Sequence, residues 1–163
     1  NMKLAKLIYF ADKRHLQQYG RTISGDTYYG MEHGPVPSAI YDGLKNREFA
    51  DVVECEGPPC GSYPVWRAIA ELDPQWLSDS DEEVLVETFK ELGRLTAREL
   101  RDRSHEEVDV KRADAALAVS GAPGSVPIPI EDMLLDLPTD VRGPMAVVLR
   151  EEMENEAHSL SLS

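Results

Sequence analysis

Positive charge is scarce in this chain. Its 17 lysines and arginines stand against 30 aspartates and glutamates, a formal net charge of −13. At that balance the field of the whole molecule repels phosphate backbones. Nucleic acid is therefore disfavoured as a partner, and a basic or otherwise complementary protein is favoured kinetically. Cysteine is almost as scarce. Cys55 and Cys60, in C-E-G-P-P-C, are the only two, too few to staple a chain of this size, and free thiols in a reducing cytosol are expected. No apolar run approaches the roughly 18 residues that a membrane span needs, and no signal peptide is present, so a cytoplasmic protein without membrane association is expected. The four histidines (His15, His33, His105 and His158) include no i, i+4 pair and no H-E-x-x-H. Also missing are G-x-S-x-G, a P-loop and a dinucleotide fingerprint. Neither a metal nor a cofactor is expected, and His105-Glu106-Glu107 lacks the further ligands that a metal requires.

A hydrophobic share of 42% in 163 residues is enough for a real core, and no linker or repeat divides the chain. Residues 1–157 read as one mainly α (α+β) domain, a compact helical unit with a small antiparallel β hairpin, and 158–163 as a frayed tail. The first helix covers 2–19, with Asn1 as N-cap and Gly20 at C′. Leu4, Leu7, Ile8, Ala11, His15 or Leu16, and Tyr19 form its apolar face, while Lys3, Lys6, Asp12, Lys13 and Gln17 fall mainly outside that stripe. Thr27 to Met31 reads as a short strand, H-G-P-V-P as stiff extended chain, and 38–46 as a helix burying Ile40, Tyr41 and Leu44. Residues 51–55 and 63–70 pair as the hairpin. Ser80 with Glu83, and Thr96 with Glu99, read as capping boxes for helices ending near Leu92 and Arg103, the first with Phe89 on its apolar side. A helix over 108–119, a breaker-rich loop over 121–130, a helical turn over 131–137 and a charged helix over 139–157, with Val141, Met145, Val148, Leu149 and Met153 as its expected buried edge, complete the chain.

Tyr28, Tyr29, His33 and Tyr41 cluster around the G-P-V-P turn. Such aromatics either pack the turn onto the first helix or present a rigid surface, since tyrosine and histidine offer large contact area with a polar tip. Three functions remain open on the residues alone. One is a non-enzymatic binding module with Tyr29, His33, Pro35 and Tyr41 as its hot spot. A second is a hydrolase using His33 or His105 with a carboxylate or Cys60. A third is a regulator that contacts DNA at its own operon, which the net charge opposes. Lys13-Arg14 and Lys111-Arg112 read as solvated helix faces.

The segments K-L-I-Y-F-A-D-K-R-H-L (6–16), G-D-T-Y-Y (25–29) and H-G-P-V-P-S-A-I-Y-D-G-L-K (33–45) resemble the Panacea domain, also called the antitoxin SocA-like or GepA-like domain, of phage-associated proteins. The likeness resumes at L-S-D-S-D-E-E-V-L (77–85), L-T-A-R-E-L (95–100) and S-H-E-E (104–107), so that it spans most of residues 2–115. The resemblance implies a mostly helical fold with a small hairpin. It also implies the neutralising half of a bacterial or prophage toxin–antitoxin pair, whose partner is a cognate toxin met by direct binding or delivered, as by a proteolytic adaptor, to a Clp-type protease. Members commonly carry a further helix before the K-L-x-Y-F-A segment. Its removal would leave apolar surface bare on residues 4–16. The resemblance leaves residues 120–163 and the oligomeric state unassigned.

Overall fold

The computed structural model describes residues 1–56, 65–71, 73–120 and 124–161. Among them, six α-helices carry two small antiparallel sheets: α1 Met2–Tyr19, β1 Tyr28–Met31, β2 Gly34–Pro37, α2 Ser38–Asn46, β3 Val53–Glu56, β4 Val65–Ala68, α3 Asp79–Leu92, α4 Ala97–Ser104, α5 Val108–Ser120, β5 Val126–Ile128 and α6 Thr139–Ser161. The fold is mainly α with a small β component, as the sequence implied. The expected hairpin is β3–β4, with Cys55 opposite Trp66.

The second sheet has the order β2-β1-β5. Its third strand replaces part of the loop expected over 121–130. Proline hid it from the pattern: Pro127 opposes Tyr29 within β5, and a residue without an N–H is tolerated in a sheet on an edge strand. The opposite edge, β2, carries Pro35 and Pro37. Both edges are thus short and proline-bearing, which discourages pairing with another chain.

α1 is the central element and touches α3, α4, α6 and β2. Tyr9, Phe10 and Leu16 enter the common core with Leu92, Leu100, Val110, Met133 and Leu134. Gly20 ends the helix at φ 83, the left-handed C′ geometry that glycine adopts without penalty. Asn1 makes no cap bond through its side chain. Its Oδ1 accepts instead from Trp66 Nε1 at 2.9 Å, tying the hairpin to the start of α1.

Four polar residues of α1 are not on a solvated face. Lys6, Asp12, Lys13 and His15 are all buried, and each fastens a different segment. Asp12 accepts from the backbone N–H groups of Ile23 and Ser24 at 2.9 and 3.0 Å and from the Tyr28 hydroxyl at 2.7 Å. His15 meets the Arg21 carbonyl at 2.8 Å through Nδ1 and Ser80 Oγ at 3.1 Å through Nε2. Tyr9 donates to Asp109 Oδ2 at 2.8 Å. Lys13 bridges Glu107 and Asp109, each at 2.6 Å, and Asp136. Burial opposes the charge on Lys13, but attraction and hydrogen bonding from Asp109, then Asp136 and Glu107, outweigh it and hold its pKa above the ordinary lysine value.

Three further expectations need correction. The α3 cap is Ser78 with Asp81, not Ser80 with Glu83. Arg21 reaches Asp81 at 2.8 and 3.0 Å, and His15 takes the Ser80 hydroxyl, so tertiary contacts choose between two adequate caps. Val84, Thr88 and Leu92 then face inward and Phe89 is left 66% exposed. Lastly, on α6 only Leu149 of the expected edge is buried, while Val141, Val148 and Met153 are exposed. The Thr96–Glu99 capping box forms as expected.

Replacing Lys13 should cost more than its own bonds, because three carboxylates would then face one another without a cation. Lys13→Met is expected to lower unfolding free energy by about 3–5 kcal/mol, read as the shift in urea midpoint at constant m.

Candidate functional site

A candidate site lies where the first turns of α1 meet the β1–β2 hairpin and the α4–α5 junction. A cavity of about 760 Å³ opens there, within the range of small-molecule sites. Met2, Ala5 and Lys6 line it from α1. The hairpin contributes Met31, Glu32, His33 and Val36, and α2 adds Tyr41. His105, Asp114, Leu117 and Ala118 close the far wall.

At the floor, Lys6 is 1% exposed, and its Nζ donates to the Pro35 carbonyl at 2.5 Å. Among the described residues no carboxylate lies within ion-pair distance of it. Burial first, then the nearby Arg101 guanidinium, lower its pKa to about 7 against the attraction of Asp114. His105 meets Asp114 through Nδ1 at 2.7 Å, which leaves Nε2 buried without a hydrogen-bond partner. The adjacent Arg101 Nε is likewise buried and unpartnered. Gly34, at φ +82, lies between these groups. A Cβ there would come 3.2 Å from Lys6 Nζ, 3.4 Å from His105 Nε2 and 2.7 Å from Ser104 Oγ. Only glycine meets both the backbone conformation and the crowding.

The four residues singled out in the sequence do not share one place. His33 and Tyr41 line this cavity. Pro35 is buried and acts through its carbonyl. Tyr29 lines a separate cavity of about 390 Å³ with residues of β5 and α6. His33 and His105 do reach one cavity, with Asp114 as the carboxylate, but its described lining offers no serine, threonine or cysteine. Cys60 lies outside the described residues.

Lys6, Arg101 and Asp114 escaped the sequence reading. A signal existed for Lys6: it lies between Ala5 and Tyr9 on the buried side of α1, where a charge needs a reason. The basic pairs are consumed internally, with Arg14 on Glu91, Lys111 on Glu106 and Arg112 on Asp132. Glu107, Asp109 and Asp136 converge closely enough to hold a cation, and the Lys13 ammonium already occupies their centre. Among the described residues no helix is long and apolar enough to cross a membrane.

The family model for the antitoxin SocA-like, Panacea domain matches residues 4–108. The chain belongs to that family. The match takes in α1, the β1–β2 hairpin and the chain as far as the first residue of α5, hence most of the cavity wall. No curated protein and no solved structure matches the chain significantly. Membership gives this Panacea domain the general role of an antitoxin, with a toxin as the general class of partner.

Lys6 makes a pH signature. Its pKa is ordinary, 10.5, when unfolded and about 7 when folded. Between those values the unfolded chain holds a proton that the folded chain has released, so stability from this group rises with pH. The stability of the wild type minus that of Lys6→Met should therefore climb by up to about 1.4 kcal/mol per pH unit from about pH 7 to 9, measured by urea unfolding at each pH. A flat difference would show that Lys6 titrates normally.

Proposed function

We propose that this Panacea domain is a non-enzymatic protein-binding module that neutralises a cognate bacterial or prophage toxin. The observation that carries the reading is the family match over residues 4–108. The exposed His33 and half-buried Tyr41 at the mouth of the cavity favour this rim as contact surface. Pro35 supports the rim from within, and Tyr29 belongs to a second face. The acidic field of the chain suits a partner with a basic surface and would speed their encounter.

Neutralisation by direct binding and delivery to a Clp-type protease make different demands. Direct binding needs only a tight complex, whereas delivery needs the protease as well. A hydrolase has one observation in its favour, the His105–Asp114 pair at 2.7 Å facing a cavity. That pair resembles a base with its orienting carboxylate, but general-base chemistry also needs a nucleophile within reach. The described lining supplies no hydroxyl or thiol of the usual kind.

Co-expression with the product of the adjacent gene tests the proposal. Growth rescue together with co-purification is the expected result; neither rescue nor complex would remove it. Rescue that persists in a host lacking Clp-type proteases identifies direct binding, and rescue that disappears there identifies delivery. His33→Ala and Tyr41→Ala should each weaken the complex about tenfold, roughly 1.4 kcal/mol, by calorimetry on the purified pair. Unchanged affinity in both would move the contact surface elsewhere.

A further inference from the structure

α6 lies against the body mainly through α1 and the short turn Ile130–Leu134. A trough runs beside it in two parts, one of about 390 Å³ toward Tyr29 and β5 and one of about 300 Å³ on the other flank of the helix. Glu131, Leu149 and Met153 line both parts, so the two are neighbours. Ala146, Leu149, Met153 and Ala157 follow one another at spacings of three, four and four, which puts them in one stripe along α6. Leu149 is buried at the base of this stripe, and Met153 is 47% exposed. The two alanines keep the stripe low enough for another backbone to come close. Among the described residues no second α-helix lines the trough.

The charge around the stripe is one-sided. Glu131, Glu152 and Glu154 stand in the lining, and none has an ion-pair or hydrogen-bond partner among the described residues. Of the cations there, Arg21 is held by Asp81, which leaves Arg150 against three carboxylates. An apolar stripe between unpaired acids suits a partner that is apolar on one face and basic along its flanks. A second copy of this chain is a poor occupant, because its own α6 would bring Glu151, Glu152 and Glu154 against the same residues. Anionic lipid and nucleic acid are repelled for the same reason. An added strand is disfavoured, since β5 is short and carries Pro127. A helix with apolar residues at i, i+3, i+4 and i+7 is the element that such a stripe seats.

We infer that the trough beside α6 is a docking site for a basic amphipathic helix of a partner protein. Leu149 and Met153 receive its apolar side chains, and Glu131, Glu152 and Glu154 pair with the lysines or arginines beside them. The site is apart from the His33–Tyr41 rim, and it rests on the proposed function only in naming a toxin as the source of the helix.

Three synthetic peptides of about 18 residues, long enough to turn helical on binding, test the site by calorimetry on the full chain. The first sets leucines at i, i+3, i+4 and i+7 among lysines. The second has the same residues in an order without an amphipathic face, and the third has glutamate in place of lysine. The first should bind one-to-one and about tenfold more tightly than the second, and the third should not bind. Met153→Arg, at an exposed position, should weaken the first peptide about tenfold, with helix content unchanged by circular dichroism. Glu131→Gln with Glu152→Gln should weaken it several-fold at low salt and less at high salt. Glu82→Gln with Glu87→Gln on α3 changes the net charge equally and should leave binding as it was. The inference is overturned if the ordered peptide binds no better than the reordered one, if Met153→Arg binds it normally, if the two glutamine pairs behave alike, or if the free chain is a dimer that Met153→Arg dissociates. The complex with the adjacent gene product separates this reading from the proposed function. A complex indifferent to Met153→Arg and to the Glu131–Glu152 pair removes the site and keeps the toxin-binding module. A chain that binds the peptide at α6 but not the adjacent gene product keeps the site and removes the toxin as its source.

Discussion

The rest of the fold depends on one buried ion cluster, Lys13 held by Glu107, Asp109 and Asp136. It joins the middle of α1 to the start of α5 and to the chain just before α6, across sequence separations of 94 to 123 residues. Apolar packing alone would leave α1 free to rotate among several satisfactory positions. A buried cation has far fewer, because every misplacement leaves a charge uncompensated. Tyr9 strengthens the same point by donating to the second oxygen of Asp109. Burial and then the Asp109 charge hold its phenol well above the ordinary tyrosine range, so it remains a donor. Asp12 and His15 repeat the principle on the neighbouring sides, fixing the 21–28 connection and the start of α3.

This arrangement explains what the sequence disclosed and what it did not. Helix limits were legible because their signals are local: Gly20 after α1, the Thr96–Glu99 box and the stiff entry into α2. The interior was not legible by the same route. Periodicity sorted Lys6, Asp12 and Lys13 outward because they are charged, whereas their partners lie up to 123 residues away. Ser78 and Ser80 offered equally good caps in sequence, and Arg21 decided between them through Asp81. β5 failed the usual strand test for one reason, the prolines that suit it to an edge. The cavity was visible only in part. His33 and Tyr41 stood out as aromatic and polar residues beside a rigid turn, but Asp114 and Arg101 become relevant only after α4 and α5 fold back on α1.

The residues that most clearly mark the family therefore serve the interior. Lys6, Tyr9, Asp12, Lys13 and Pro35 are buried, so substituting them acts first on folding. Surface that can meet another protein lies around them, at His33, Tyr41 and the second cavity beside Tyr29. A scaffold held by internal charges leaves such rims free to differ. The proline-bearing edges of the three-stranded sheet point the same way, since they favour recognition through side chains over addition of a strand.

Lys6 and Lys13 are seven residues apart on one helix, both buried, and the contrast between them is informative. Lys13 has three carboxylates and a raised pKa. Lys6 has a carbonyl, a neighbouring arginine and a pKa lowered to about 7. A methionine would fill the space of Lys6 without the desolvation cost, and the Pro35 carbonyl is a small return for burying an amine. Lys13 is accounted for by its part in the fold. Lys6 is not, and it stands at the floor of a cavity with two other unpartnered nitrogens nearby. The interior answers the two lysines in opposite ways: it supplies counter-charges to Lys13 and keeps its proton, and it drives the proton off Lys6 by burial.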